Sequence, residues 1–206
     1  MLSRTILMLF ILSLLVSCAA ARLNGYEDEI NCFRKKYKND FLIEERSPLS
    51  KKDLRFLDFY KPDSNYKITA HYVLLENPDT LDFKTSAGKI KQFLPYARMN
   101  FEIEKVSCSL TVFKSMQLAG DVKYADYLFL PFTDATNSSE TYGGGRYIDM
   151  DMKDFDDGIV KIDFNKAYNP YCAFATGYNC PVPPKENDLN IEIRAGEKRF
   201  KKEKKH

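Results

Sequence analysis

Histidine is nearly missing: His71 and His206 are the two copies in 206 residues. A Ser-His-Asp or Cys-His nucleophile system therefore has no local base to draw on, and a histidine-rich zinc site is excluded. The five cysteines include no Cys-x-x-Cys pair, so a structural zinc reading is poor. The triple glycine Gly143-Gly144-Gly145 is followed by Arg146, not by Lys-Ser/Thr, and is not a phosphate loop. Its content is backbone that turns tightly or closely approaches something, a strand or a ligand. The chain has no internal repeat, and no low-complexity stretch before its basic end. Long apolar runs are scarce too. The main one, Ile6 to Val16, would span only about half of a ~30 Å hydrocarbon core, so a signal-peptide core fits better than a membrane-crossing helix.

What is present at the N-terminus gives an address. Arg4 precedes the apolar run, which ends in Leu15-Val16-Ser17-Cys18. This resembles a bacterial lipobox, implying cleavage before Cys18 and a thioether-linked diacylglycerol on its sulfur, with secretion by cleavage after one of Ala19 to Ala21 as the plain alternative. The chain then divides into residues 1–17 as signal peptide, 18–25 as lipidated cysteine and short linker, 26–197 as one globular domain, and 198–206 as a disordered basic tail. The expected partner is a membrane, reached through the lipid at Cys18, on the periplasmic side of a bacterial envelope. Alanine rather than aspartate after Cys18 favours the outer membrane. The net charge of +2 conceals an uneven distribution: residues 198–206 carry six Lys/Arg against one Glu. Without them and the signal peptide the domain is mildly acidic, which argues against nucleic acid as a partner.

Periodicity sets the architecture. Tyr26, Ile30, Phe33, Tyr37 and Phe41 recur at three or four residues and predict an amphipathic helix, broken by Ser47-Pro48. Ser50 and Asp53 mark the start of a second short helix, with Leu54 and Leu57 facing inward. From Tyr66 the period becomes two. Strands are expected over Tyr66–Leu74, around Leu81 and Phe83, over Ile90–Leu94, and as a hairpin pairing Met99, Phe101 and Ile103 with Cys108, Leu110 and Val112 across Glu104-Lys105. Tyr127–Phe132 follows, with Pro131 suited to a strand end or edge. Tyr147–Met150 and Ile159–Phe164 are expected to pair around Asp157-Gly158, and Leu189, Ile191 and Ile193 supply a last strand. The fold class is mainly β (α+β): an antiparallel β-sandwich or partly closed barrel with one or two N-terminal helices.

Strand ends in the second half carry the polar residues. Phe132–Thr136 reads FTDAT, Glu140–Tyr147 reads ETYGGGRY, Asp163–Cys172 reads DFNKAYNPYC, Cys180–Asn187 reads CPVPPKEN, and Ile193–Lys198 reads IRAGEK. In these motifs and their order the chain resembles the short form of the bacterial domain-of-unknown-function family number 1684. The resemblance covers most of the mature chain and implies no established activity. Cys172 and Cys180 flank a seven-residue loop and are placed either to close a disulfide in an oxidising periplasm or to stay reduced. Cys108 alternates with apolar neighbours and reads as a small core residue. A Cys32–Cys108 bridge has no local support.

If the strand ends converge, Asp134, Glu140, Arg146, Asp163, Asn165, Glu186, Asn187 and Arg194 would share one patch, with Tyr142 and Asn169 beside them. Three readings stay open. The residues line a pocket for a small polar ligand; or two of the carboxylates act as acid and base in a histidine-independent hydrolase on a saccharide or cell-wall substrate; or they form a buried network that holds loops in place, with the arginines as bidentate partners. Tyr142, Tyr147, Tyr168 and Tyr171 add flat amphipathic faces suited to carbohydrate or peptide. The aspartates at 149, 151, 154, 156 and 157 lack EF-hand spacing and read as solvation of a hairpin tip. Binding of a hard cation such as calcium by these oxygens is a minor alternative; no cofactor and no metal ion is expected.

Overall fold

The computed structural model describes residues 25–204. The expected signal peptide and Cys18 lie outside them. The first element is the helix α1, Tyr26–Ile43. Glu27, Asp28 and Glu29 fill its first turn, where the helix dipole favours negative charge. Its apolar stripe folds down as the spacing predicts: Ile30 and Phe41 are buried, and Tyr37 packs edge-on against Phe41 and Phe59. Among the described residues no helix is long and apolar enough to cross a membrane.

A second α-helix does not form. The Ser50 N–H and hydroxyl both donate to the Asp53 carboxylate, but only a single 3₁₀ turn, Leu54–Phe56, follows. Leu57 is buried as expected, against Phe174 and Phe200.

Eight strands make one mainly antiparallel, half-barrel sheet: β1 Lys67–Leu74, β2 Leu81–Lys84, β3 Ile90–Ile103, β4 Val106–Ser115, β5 Tyr127–Asp134, β6 Arg146–Asp151, β7 Ile159–Asp163 and β8 Asp188–Leu189. Their order is β6-β5-β4-β3-β1-β7, with β2 added to β3 and β8 to β5. The two stretches expected around Pro95 are one strand, β3, which passes the proline through a register shift between Pro95 and Ala97. The hairpin of β3 with β4 has the expected register, Met99 opposite Leu110 and Phe101 opposite Cys108. Glu104 and Lys105 both take positive φ, the conformation that two-residue hairpin turns need.

Three expectations are corrected. β6 and β7 do not pair with each other; they sit at opposite ends of the sheet, on β5 and β1. A reciprocal cap between Asp151 and Asp154 starts a 3₁₀ turn at Met152–Asp154, which carries the chain away before it can fold back. The last strand is only two residues long and parallel to β5. Beyond it, the carbonyls of Ile193, Ala195 and Glu197 turn inward to the Arg146 guanidinium instead of joining a ladder. Finally, the basic end is docked as far as Lys202: Phe200 is buried, Arg199 N–H donates to Glu140 O, and Lys202 pairs with buried Asp53 at 2.8 Å.

The two faces of β5 and β6 have different fates, and this positions the site. Leu128, Leu130 and Phe132 sit opposite Met150, Ile148 and Arg146, and this face enters the main core with Met99, Leu110, Ile162 and Ile193. Each fully enclosed Leu, Ile or Phe of this kind contributes roughly 1.5–3 kcal/mol. On the other face Tyr127, Phe129 and Pro131 oppose Asp151, Asp149 and Tyr147. There Phe129 and Tyr147 join Phe83, Phe93 and Phe113 in a second, aromatic cluster.

Candidate functional site

The residues expected to share a patch fall into four separate settings. Asp134 and Arg146 form one: both side chains are wholly enclosed, 2.8 Å apart. Asp134 also accepts from Thr136 N–H and hydroxyl at 2.8 and 2.5 Å and from Ile193 N–H at 3.2 Å. Arg146 donates to the three tail carbonyls and packs over the Phe132 ring. Buried charges persist when they are paired and hydrogen-bonded in this way. Gly145, next to Arg146, takes φ +83 with the Phe132 carbonyl 2.6 Å from where a Cβ would stand. Gly145 thus serves close packing of its own backbone against β5.

Asp163 and Asn165 form a second setting. Asp163 caps the 3₁₀ turn Phe164–Lys166 and accepts the Tyr26 hydroxyl at 2.7 Å, tying the start of α1 to β7. The Asn165 amide clamps the backbone of Asp63 in both directions. Asn187 is a third. β4 and β5 pair through a single residue, Phe113 with Phe129; Pro131 has no N–H to offer. Asn187 fills the split by donating to Thr111 O and Pro131 O and accepting from Thr111 N–H. Glu186 beside it is exposed. The fourth lies at the surface, where Arg194 contacts Glu140 at 3.0 Å and Glu192 at 2.9 Å, and the Tyr60 hydroxyl donates to Glu140. Those hydrogen bonds from Tyr60 and Arg194 hold the Glu140 carboxyl below its ordinary range. Tyr142 lines a shallow hollow with Ser138, Gly143 and Arg199. Asn169 is buried, donating its backbone N–H to Glu197 and its amide to Lys198 O.

The cleft with chemical character lies on the other face of β5 and β6. A hollow of about 670 Å³ is lined by Phe93, Phe129, Tyr127, Tyr147, Tyr168 and Tyr171, with further walls from β3 and the 177–181 segment. That volume is in the range of small-molecule sites. Its aromatic floor is ordered: Phe93 stacks on Phe129 at 5.3 Å, Tyr147 meets Phe129 edge-on at 4.7 Å, and Tyr168 stands at 90° to Tyr147. Tyr168 reaches this place because its backbone pairs with that of Tyr147 through two 2.9 Å hydrogen bonds, extending the sheet beside β6. Its ring also walls a second hollow, of about 480 Å³, with Asp149, Tyr37, Phe41 and Lys166.

Asp149 lines the second hollow and touches the first through the hydroxyls of two of its tyrosines. Its Oδ1 accepts the Tyr168 hydroxyl at 2.6 Å and the Tyr127 hydroxyl at 2.8 Å. Asp149 is solvent-exposed, and the Tyr127 and Tyr168 rings crowd one of its oxygens. This crowding raises its pKa above the ordinary aspartate value, against the lowering by the two hydroxyls. The hydroxyls of Tyr127 and Tyr168 are in turn pushed well up, first by desolvation and then by the Asp149 charge. A solvent-reached carboxylate with a perturbed pKa in an aromatic cleft is a functional-site candidate.

One wall is cross-linked. Cys172 and Cys180 form a disulfide, with Cα atoms 6.3 Å apart, and the loop they close carries Gly177, Tyr178 and Asn179 into the hollow. Tyr178 donates its hydroxyl to Arg46 O, and Ser86 donates to Tyr178 O and accepts from Cys180 N–H. Cys108 is a free thiol, so no bridge joins it to Cys32. Among the described residues no group of three or more His, Cys, Asp or Glu side chains is arranged to hold a metal ion.

A family model described as Protein of unknown function (DUF1684) matches residues 52–198. The chain belongs to this family. The DUF1684 stretch includes all four strands and loops that supply Phe93, Tyr127, Asp149 and Tyr168, whereas Tyr37 and Phe41 of α1 precede it. The solution NMR structure of the uncharacterized protein from gene locus rrnAC0354 of Haloarcula marismortui is similar, with 30% identity, coverage of 84% of this chain and 94% of that chain, and a TM-score of 0.66. No curated protein matches the chain.

Sequence reasoning missed Asp149 as a site residue and included Tyr168 only as a flat face. A signal was present. Ile148 and Met150 alternate with Tyr147 and Asp149, so one face of that strand is apolar and the other carries a phenol and a carboxylate two residues apart.

Proposed function

We propose that this protein binds a small amphipathic molecule in the aromatic cleft, and that it does so as a bacterial envelope lipoprotein held to the membrane through Cys18. The observation that carries the binding reading is Asp149. Its carboxylate accepts the hydroxyls of two tyrosines that line the larger hollow, and the residue remains open to solvent on the wall of the smaller one. A carboxylate needed only for folding would more simply be enclosed and paired, as Asp134 is. We assign Asp134, Arg146, Asp163, Asn165, Asn169 and Asn187 to architecture, since their polar atoms are spent on backbone and on one another. The hydrolase alternative draws little support: Asp134 is committed to Arg146, Asp163 to Tyr26 and Asn165, and Glu140 to Tyr60 and Arg194.

A thermal-shift screen of small aromatic and acyl amphiphiles tests the reading. A ligand present at about 100 times its Kd stabilises the fold by roughly 2.7 kcal/mol. Binders are expected to shift wild-type melting, to lose that shift in Tyr168→Ala, which removes a wall of both hollows, and to show an altered shift in Asp149→Asn, which frees the two tyrosine hydroxyls. Unchanged shifts in both variants would remove the cleft from consideration. For the anchor, metabolic labelling with palmitate is expected to mark the wild type and not Cys18→Ser.

A further inference from the structure

The charge on the cleft wall suggests which ligand class it takes. Among the residues lining the larger hollow, Arg46, Lys89 and Lys91 are cationic and none is Asp or Glu; Asp149 lies behind the Tyr127 and Tyr168 hydroxyls, on the wall of the smaller hollow. These cations come from two directions. Lys89 and Lys91 alternate with Phe93, so one face of the start of β3 runs from charge at the rim to a phenyl ring on the floor. The Lys89 backbone is stapled to Thr85 by three hydrogen bonds, which fixes the tip of the β2–β3 hairpin. Arg46 arrives from the loop after α1, held across the cleft by the Tyr178 hydroxyl on its carbonyl. None of the three makes an ion pair among the described residues, although lysines and arginines elsewhere do, at Lys67, Lys153, Lys166, Arg194, Lys201 and Lys202. Burial also lowers the Lys91 pKa, with no neighbouring carboxylate to offset it.

Resting on the binding reading above, we infer that the ligand is an organic anion, with a flat aromatic body against Phe93, Phe129 and Tyr147 and an acidic group held by Lys91, Lys89 and Arg46. Unpaired cations over an apolar floor supply what such a molecule needs: area for its body, and charge-assisted hydrogen bonds for its acid. A neutral body of the same shape would gain the first alone. A carboxylate, a sulfonate and a phosphate monoester share this chemistry.

Two fluorescent probes with the same ring system separate body from charge: anilinonaphthalene sulfonate, and N-phenylnaphthylamine, which lacks the sulfonate. Both are titrated into the full folded protein at low and high salt, with the wild type beside Lys89→Met/Lys91→Met and Arg46→Gln. The expected result is a wild-type preference for the sulfonate of about tenfold or more, the combined effect of several half-exposed charge contacts. That preference is expected to fall with salt and to vanish in the double lysine variant, while binding of the neutral amine stays unchanged. Equal binding of the two probes, lost in Tyr168→Ala, would overturn the anion inference and leave the cleft standing. Binding of neither probe, or binding indifferent to Tyr168→Ala, would overturn both. Where a lysine variant folds poorly, the wild type alone decides: a sulfonate preference that salt leaves unchanged would overturn the anion inference.

Discussion

Glu197 is fully enclosed beneath α1, where its Oε2 accepts the Tyr37 hydroxyl at 2.9 Å and the Asn169 N–H at 2.8 Å. Its other oxygen has no partner, and neither does the side-chain oxygen of Asn169. A buried carboxylate oxygen without a donor is costly, and a proton on Glu197 removes the charge that makes it so. Burial accordingly raises its pKa from 4.5 to about 7, against the lowering by Asn169, Tyr37 and Arg146. The sign of the linkage follows. Because the folded state holds this proton more tightly than the unfolded chain, the contribution is complete below pH 4.5 and is lost as pH rises through about 7. Its size is on the order of 3 kcal/mol. Urea denaturation of wild type and Glu197→Gln at steps between these limits should show the wild type losing stability with rising pH and the variant losing much less. Parallel curves would show that Glu197 is ionised throughout. The IRAGEK motif flags this residue in the sequence, but not its burial, which depends on Tyr37 some 160 positions away.

Elements were legible where one periodicity holds over the whole segment. α1 and the β3–β4 hairpin follow directly from their spacing, because each buries its stripe against neighbours of its own making. Legibility stops where a side chain takes over work that backbone normally does. Asn187 stands in for a missing ladder between Thr111 and Pro131, and Arg146 draws off the Ile193 carbonyl, while that of Ile191 accepts from Ala135 N–H. Neither substitution leaves a mark in local propensity. The 172–180 loop is an intermediate case, since its cysteines are visible in the sequence while the cleft that its residues wall is not. Cross-linking a loop of this length contributes about 2–3 kcal/mol, mainly by restricting the unfolded chain. The Cys172→Ser/Cys180→Ser variant should therefore lose that amount in denaturant while keeping its far-UV spectrum. It should also bind cleft ligands more weakly at temperatures where it remains folded, because Tyr178 and Pro181 lose their tether. Full affinity in the folded variant would mean that Tyr178 and Ser86 hold the wall without the bridge.

Across the whole molecule, polar residues divide between the two faces of one sheet, and the division predicts opposite outcomes for two charges only three positions apart. Arg146 points into the core, where its removal leaves Asp134 buried and uncompensated; Arg146→Leu should cost about 3–5 kcal/mol. Asp149 points into the cleft, where its raised pKa means that the ionised carboxylate is less at ease in the folded state than in the unfolded one. At neutral pH, Asp149→Asn removes that charge and keeps an acceptor for a tyrosine hydroxyl. Its melting temperature should match or slightly exceed that of the wild type, since solvent screening leaves little of the charge penalty at so exposed a group. Residues retained for a ligand at some expense to stability behave in this way. Scanning calorimetry of the two variants side by side gives the answer. A fall for Asp149→Asn comparable with that of Arg146→Leu would make Asp149 a second architectural anchor, and the aromatic hollow would then lose the group that marks it as a site.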